Sequence, residues 1–446
     1  MQLRRKGVLV IFVLVMVLSA LAGCSGKNQP GEGTKNPESS STASPKSSDP
    51  VVITIAWPWG EKEYEARFGG IREKLKGEID VRMVQVDGTK EKLQELFASK
   101  TIPDIIVANH GLRPLEELDT LMSIEELMKK HNFEESIVNP FALAYVRAID
   151  TKGRLVGLPD GLGGQTLYYN KEVFDLFGEP YPDPQTPMTW DELLDLVQRL
   201  TTTRDGKTYI GLHLFDTMAY APLEEFPANA TDPDTGEMRL TKDPAFTRHF
   251  EFLKRLYSIP GIKEARGRDM FMERSAAMVL QNHNFLAPDW QENESLKKSV
   301  DMIPIPVWPD QPTLTPVGSN APITINKYSQ KQDDAFRVLA EYYSPDIQLQ
   351  MIRPAHATPA VSDMEIVKQW AADVPGFQGK NMDANFIFNK NRATYNPRKS
   401  PWDAYIDRAE AIEKFVQSDM DIVKFLREWE EEAAGKVKDA MAQYSN

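Results

Sequence analysis

Covalent chemistry has few places to start in this chain. Its six histidines, at 110, 131, 213, 249, 283 and 356, are scattered, and no His-x-x-x-His spacing puts two on one helical face. A zinc site needs several nitrogen or sulfur ligands held together, so no metal is expected. No Gly-x-Ser-x-Gly turn presents a nucleophile. The adjacent acids Glu224 and Glu225 could serve a glycoside hydrolase only if two carboxylates faced each other across a cleft. Adjacent acids are far more often a solvated surface. GLGGQT (161–166) is rich in glycine but lacks the Lys-Ser/Thr of a phosphate loop, which leaves close backbone approach to a ligand or an ordinary loop. Asp232 to Glu237 faintly suggests a calcium loop but reads better as an acidic turn between strands. What remains is the chemistry of non-covalent capture: aromatic rings and uncharged polar groups at the ends of strands.

Those ends follow from the pattern of the chain. VVITIAW (51–57) is a β-branched apolar run, and IDVRMVQVD (79–87) alternates with a period near two. EYEARFGGIREKLKG between them has helical composition, although Gly69-Gly70 weakens it. A second helix, LQELFASK, leads through Pro103-Asp104 into IIVAN (105–109). Strand, helix, strand, helix, strand implies a parallel sheet covered by helices, with ligands at the carboxyl ends of its strands. Trp57 and Trp59 stand at one such end and Asn109 and His110 at another, so all four are candidate contacts. For the two tryptophans the competing reading is core packing. Helix starts are marked by capping boxes at Ser123-Ile124-Glu125-Glu126 and Thr189-Trp190-Asp191-Glu192. Asp243-Pro244 and Ser344-Pro345 each place a cap before a first-turn proline. Leu193, Leu194, Val197 and Leu200 form one apolar helical face, and Trp190 is expected to pack with it. No internal repeat is present.

The front of the chain carries a different kind of information. Arg4, Arg5 and Lys6 precede an uncharged run from Val8 to Ala22, too short to span a bilayer comfortably. A basic start, a short apolar stretch and then small residues describe an export signal. Leu21-Ala22-Gly23-Cys24 resembles a bacterial lipobox, in which a diacylglycerol joins the Cys thiol and residues 1–23 are removed. Cys24 is the only cysteine, so it has no internal disulfide partner. A lipid there anchors a protein to the outer face of the cell membrane without a spanning helix. Residues 24–50, rich in Ser, Pro, Gly and Lys, cannot bury enough surface to order themselves and read as a tether. The formal charge of −13 includes the three basic residues of the signal, so the chain without its signal is more acidic still. That argues against nucleic acid and against wide contact with anionic lipid. The length supports two core-bearing lobes.

The residues from Lys152 to Leu212 carry a resemblance. They contain Gly153 to Pro159, then Leu167-Tyr168-Tyr169-Asn170-Lys171, then Thr189-Trp190-Asp191-Glu192. In that order and spacing they resemble the extracellular solute-binding proteins of ABC importers, of the maltose and oligosaccharide type. Met270 to Met278, Met302 to Pro306, Gly318 to Asn326 and DDAFRVLAEYYSPDIQLQMI extend the likeness over nearly all of the chain from Val51. The resemblance implies an α/β fold of two lobes, each a mostly parallel sheet flanked by helices, joined by crossover strands and closing on ligand by a hinge. It divides the chain into an N-terminal lobe of 51–156 with 303–353 and a C-terminal lobe of 157–302 with 354–446. Tyr168 to Asn170 is then a buried β segment.

It also implies a small solute, a sugar or oligosaccharide, as ligand, ABC permease subunits as partners, a monomer, no cofactor and no catalysis. An anchored carbohydrate hydrolase and a ligand-binding accessory of a surface sensor are the alternatives. Sugar sites combine apolar or aromatic walls with a few placed polar groups. Gln165 and Ser319, at the crossovers, join the candidates on that ground. Trp402, in NPRKSPWDAYIDR (396–408), resembles the late tryptophan of maltose-type receptors that stacks on sugar. Asn282-His283-Asn284-Phe285 departs from the family's Gly-x-Trp, which weakens any statement about which sugar.

Overall fold

The computed structural model describes residues 49–214, 216–263, 269–283, 285–286, 293–314, 321–385 and 398–444. Among the described residues ten strands build two five-stranded sheets. The first contains β1 (Val51–Trp57), β2 (Ile79–Gln85), β3 (Ile105–Val107), β4 (Gly157–Pro159) and β10 (Pro322–Ile325), in the order β2-β1-β3-β10-β4. The second contains β5 (Gln165–Asn170), β6 (Thr202–Arg204), β7 (Lys207–Leu214), β8 (Ala276–Asn282) and β9 (Val300–Ile303), in the order β6-β7-β8-β5-β9.

The expected parallel run is present where the sequence alternates strand and helix. β1 pairs in parallel with β2 and with β3, because a helix returns the chain after each strand. Elsewhere the sheets are mixed rather than mostly parallel. β10 is antiparallel to both β3 and β4. β5 is antiparallel to both β8 and β9, the edge strand β6 is antiparallel to β7, and β7 is parallel to β8. Strands that carry the chain between the sheets enter from the opposite end, so they run against their neighbours. The expected boundary after residue 156 falls before a strand of the first sheet, since β4 pairs there with β10.

The chain passes between the sheets after β4 and again after β9. A further stretch, Thr358 to Ser362, lies beside the first passage: Leu162 N–H donates to Pro359 O at 2.9 Å, and Asn139 N–H, at the cap of helix Pro140–Ile149, donates to Ala360 O at 2.8 Å. This explains the glycines of 161–166 better than ligand contact does. A Cβ on Gly161 would lie 2.8 Å from the Thr358 carbonyl oxygen, and one on Gly164 would lie 2.1 Å from the His283 ring. Both positions are needed for close chain packing.

Helix Trp190–Leu200 behaves as its sequence directs. Glu192 N–H donates to Thr189 Oγ1 at 3.2 Å, and Thr189 N–H donates back to Glu192 Oε2 at 2.7 Å, closing the capping box. Its apolar face is buried, Trp190 included. Asp243 caps helix Pro244–Tyr257 through Ala245 N–H at 3.0 Å. Two expected caps differ. The helix after Ser123 starts at Glu125, and Ser123 Oγ accepts from Glu125 N–H at 3.3 Å, so no box forms with Glu126. Ser344 donates its hydroxyl to Glu341 O at 2.8 Å instead of capping Pro345–Ile352. A preceding helix, Gln332–Tyr342, supplies that carbonyl, which is a competitor a short motif cannot show.

One polar node ties the first sheet to its later strand. Asp104 is 2 % exposed. Its carboxylate accepts from Thr54 N–H (2.8 Å) and hydroxyl (3.0 Å), from the Ser329 hydroxyl (2.6 Å) and from Lys331 Nζ (2.9 Å). Burial without these donors would be costly, so the four partners explain an acid inside the core.

Candidate functional site

The two tryptophans at the end of β1 part company. Trp57 is 1 % exposed, and its Nε1–H donates to Gly60 O at 3.2 Å. Trp59, Tyr64 and Phe68 pack edge-on around it at centroid distances of 4.7, 6.1 and 5.6 Å. Trp57 is therefore a core residue, which corrects its expected place among the ligand contacts: no ring face is left for a solute. Trp59, two residues on, is only half-buried. The Arg67 guanidinium lies 5.2 Å from its ring centre and 3.1 Å from Asp160 Oδ2, at the start of the first passage between the sheets. Burial pushes the Asp160 carboxyl upward, against the pull of Arg67 and of the Ala321 N–H that reaches Asp160 Oδ1 at 2.9 Å.

At the end of β3 the picture is mixed. His110 Nε2 lies 2.6 Å from Asp87 Oδ1, and both side chains are exposed. The hydrogen bond from His110 is the main influence holding the Asp87 carboxyl low. Asn109 is half-buried, and its Oδ1 is a buried acceptor without a hydrogen bond. A Cβ on Gly88 would sit 2.1 Å from that oxygen, so glycine there makes room for it. Gln165, the first residue of β5, likewise leaves its Oε1 buried and unbonded. Unpaired buried acceptors are costly in a finished core and are what a ligand-binding surface offers. Ser319 and Cys24 lie outside the described residues.

Trp402 is the second residue of the short helix Pro401–Tyr405, which Ser400 caps by accepting from Trp402 N–H at 3.3 Å. Its ring meets a residue from the distant start of the chain. Arg113, in helix Arg113–Glu117 just after β3, places its guanidinium 5.4 Å from the Trp402 ring centre and 5.5 Å from that of Tyr405. Arg113 Nε–H and Nη2–H both donate to Tyr405 Oη at 3.1 Å, and that hydroxyl donates to Glu117 Oε1 at 3.1 Å. Burial raises the Glu117 carboxyl, but the hydrogen bonds of Lys90 and Tyr405 and the charges of Lys90 and Arg113 outweigh it, so its proton affinity is below the usual. Arg113, Glu117 and Tyr405 were not singled out from sequence. A helix start with arginine is an everyday surface motif, and only its meeting with residues 401–405 gives it significance.

The adjacent acids also separate. Glu225 is 1 % exposed and accepts from Trp190 Nε1–H at 2.8 Å and Trp308 N–H at 3.2 Å. It is a core acid, not one half of a catalytic pair. Glu224 is half-buried. Among the described residues no group of three or more His, Cys, Asp or Glu could hold a metal ion. No described helix is long and apolar enough to cross a membrane.

Two surface cavities, of about 400 and 380 Å³, include none of the sequence-predicted contacts. The first lies among Ile406, Met420, Phe425 and Trp429, between the last two helices. The second lies beside Arg248, Phe252 and Trp308. Neither is taken as the primary site, because the unbonded acceptors and the Arg113–Trp402 contact are elsewhere.

The family model of bacterial extracellular solute-binding proteins matches residues 59–349. A curated relative, the galactooligosaccharide-binding protein of Bacillus subtilis (strain 168), is 25% identical over 219 residues, 47% of this chain and 44% of that protein. The match thus spans less than half the length of that relative. Among solved structures, the sugar-binding protein MalE of Xanthomonas citri superposes with a TM-score of 0.69 at 16% identity, covering 89% of this chain and 100% of that one. An ABC substrate-binding protein of Listeria monocytogenes in complex with cycloalternan gives a TM-score of 0.65 at 17% identity, covering 88% and 100%. At these identities the structural matches speak for the fold, which is the two-lobed one.

Proposed function

Since this chain belongs to the family of bacterial extracellular solute-binding proteins, we propose that it captures a sugar or oligosaccharide and delivers it to an ABC importer. The observation that carries this reading is the approach of Trp402 and Tyr405 to Arg113. It puts an aromatic ring, a phenol and a guanidinium, drawn from both ends of the chain, beside the carboxyl end of β3. Rings stack on the apolar face of a pyranose, and the polar groups bond its hydroxyls. The names of the relative and of the solved neighbours point to the same ligand class.

In this reading the lobes are 51–159 with 303–353 and 160–302 with 354–446, the first passage lying beyond β4. Trp59, Asn109, His110, Gln165, Ser319 and Trp402 supply contacts. Ligand bound to both lobes favours the closed form and shifts the population towards it. The closed monomer docks on permease subunits, and the protein turns nothing over. A diacylglycerol on Cys24 holds it to the outer face of the membrane, and residues 24–50 give it reach.

The test is a titration of the full chain with β-galactooligosaccharides and maltooligosaccharides, followed by tryptophan fluorescence and by assay for reducing ends. Saturable micromolar binding without release of reducing ends supports the reading. Silence across the panel removes sugar from it, and turnover replaces it with a hydrolase. Incorporation of labelled fatty acid that is lost in Cys24→Ala tests the anchor separately.

A further inference from the structure

Among the described residues seven large apolar side chains are exposed, and three of them, Val51, Ile102 and Tyr328, stand at one end of the first sheet. The register puts them there. β1 and β3 run in parallel, with Ile55 beside Ile105, so Val51 opens β1 at the end where Ile102 leads into β3. β10 runs the other way, with Ile325 beside Ile105, so it delivers Tyr328 to the same end. Hydrogen bonds hold the approach. Asn326 N–H donates to Asp104 O and Asn326 Nδ2–H to Pro103 O, both at 2.9 Å, and Tyr328 N–H donates to Asn326 Oδ1 at 3.1 Å. β1, β3 and β10 are neighbours in the sheet, so the three positions span two strand spacings, about 10 Å.

Single exposed apolar residues are ordinary, but here Ile102 at 50 % and Tyr328 at 48 % share an end. The Tyr328 hydroxyl donates to Asp119 Oδ2 at 3.3 Å, and Lys327 Nζ lies 5.1 Å from its ring centre. An aromatic body with a polar tip beside a lysine suits the border between water and lipid headgroups. Charge does not oppose that. Glu78 is paired with Arg337 at 2.6 Å and Asp119 with Lys327, while Asp49 and Lys100, both exposed, offset each other. This end is close to neutral in a strongly acidic chain. A second observation is the route of the chain. Asp49 and Pro50 are exposed and lead directly into Val51, so the stretch that joins the folded part to Cys24 enters at this same end. The candidate contacts Trp59, Asn109 and His110 stand past the opposite ends of β1 and β3, about 20 Å away along β1.

We propose that this end of the first sheet is a narrow membrane-resting face: Val51, Ile102 and Tyr328 settle among lipid headgroups beside the anchor, and the solute-binding ends of the strands point away from the bilayer. The proposal rests on the Cys24 anchor of the reading above and adds an orientation to it. A chain with the composition of residues 24–48 spans about 25–30 Å, which holds the face at an effective concentration on the order of millimolar against the lipid. A contact too weak to recruit a free protein is then occupied most of the time. The same weakness lets the receptor leave the surface to reach its permeases. The point of attachment favours lipid over a second copy of the chain, because only the lipid is brought to this end by the anchor.

The experiment is hydroxyl-radical footprinting of the full chain in its lipidated form, held in vesicles of phosphatidylcholine and phosphatidylglycerol. The Cys24→Ala chain mixed with the same vesicles is the untethered reference. Tyr181, 46 % exposed and beside Phe174, is the matched control for Tyr328. Anchoring should lower the oxidation of Tyr328 and Ile102 about threefold or more and leave Tyr181 unchanged. The double variant Ile102→Ser, Tyr328→Ser should melt as the wild type does, since both side chains are exposed, and should lose the protection of Val51 on vesicles. Protection of Val51 that persists in it overturns the part given to the two side chains. Equal oxidation of Tyr328 with and without the anchor overturns the face while the anchor stands. A wild-type chain that carries no fatty acid overturns the anchor and the face with it. Protection of Tyr328 that grows with protein concentration in Cys24→Ala overturns lipid in favour of a second copy.

Discussion

The Arg113 guanidinium lies 5.4 Å from the centre of the Trp402 ring. Arg113 is also bonded twice to Tyr405, 292 positions along the chain from it. One arginine therefore fixes an aromatic pair that local sequence alone would leave free. Its ion pair with Glu117, Nε to Oε1 at 3.2 Å, keeps the guanidinium in place. The contact thus joins the chain just after β3 to the segment before the last two helices.

Trp402→Ala should weaken solute binding by about 1–3 kcal/mol, the range for losing a well-placed buried aromatic. Titration with the sugar that the wild type binds checks this, and unchanged affinity would remove Trp402 from the site. Arg113→Ala should leave the ring in the site but loosen it. Acrylamide should then quench tryptophan fluorescence more strongly in the unliganded protein, and small-angle scattering should show a larger radius of gyration. A cation–π contact is worth about 0.5–2 kcal/mol, so the change should be partial.

Asp104→Ala should cost about 3–5 kcal/mol, because it strands Lys331 and two hydroxyls around a cavity in the first sheet. Urea unfolding measures it. Lys331→Met, whose ammonium is partly solvated, should cost clearly less. Equal costs would mean that the ion pair, not the hydroxyl and backbone donors, dominates the node.

His249 is 1 % exposed, with Nε2 at 2.7 Å from Ala219 O. Burial holds its imidazole down to about 4, from the usual 6.5, although the Ala219 carbonyl pulls the other way. Between those values the unfolded chain binds a proton that the folded chain refuses. The contribution is thus whole above pH 6.5 and falls away as pH drops through the window, by up to about 3 kcal/mol. His249→Gln should flatten this part of the pH–stability curve. Parallel curves for wild type and variant between pH 7 and 4.5 would show that another group titrates.

Glu225 should tilt the curve in the opposite direction. Burial pushes its carboxyl well above the usual 4.5, against the Trp190 and Trp308 donors. Its folded form keeps a proton that the unfolded chain loses, so its stabilisation is whole below about pH 4.5 and is lost as pH rises. Glu225→Gln should remove that loss, at a cost of about 1–3 kcal/mol at low pH for the mismatched donor facing Trp308 N–H. Unfolding at pH 5 and pH 8 separates the two effects. An unchanged slope would mean that Glu225 is ionised in the fold.

How much was legible varies by the range of the cause. The box at Thr189 and the buried face of Trp190–Leu200 could be read directly, since a helix start and a helical face are set by residues three or four apart. The alternation of β1, β2 and β3 with helices, and the resemblance spread over the chain, disclosed the two-lobed α/β class for the same reason: order and spacing are properties of the string. The box at Ser123 failed because Glu125, within the motif, took the serine hydroxyl, and the cap at Ser344 failed because a carbonyl of the preceding helix, outside the motif, did so.

By itself, then, the sequence determined the elements, their order and the family. Only the tertiary structure decided which of two neighbours matters. Trp57 and Trp59 are alike in type and place, yet one is sealed by Tyr64 and Phe68 and the other is left half-buried. Glu224 and Glu225 are adjacent, yet only the second is sealed in the core and held by Trp190. Arg113 acquired meaning only when residues 401–405 folded onto it. Side-chain periodicity records which face a residue takes. What lies on that face is supplied by chain hundreds of positions away, and only the folded packing brings it there.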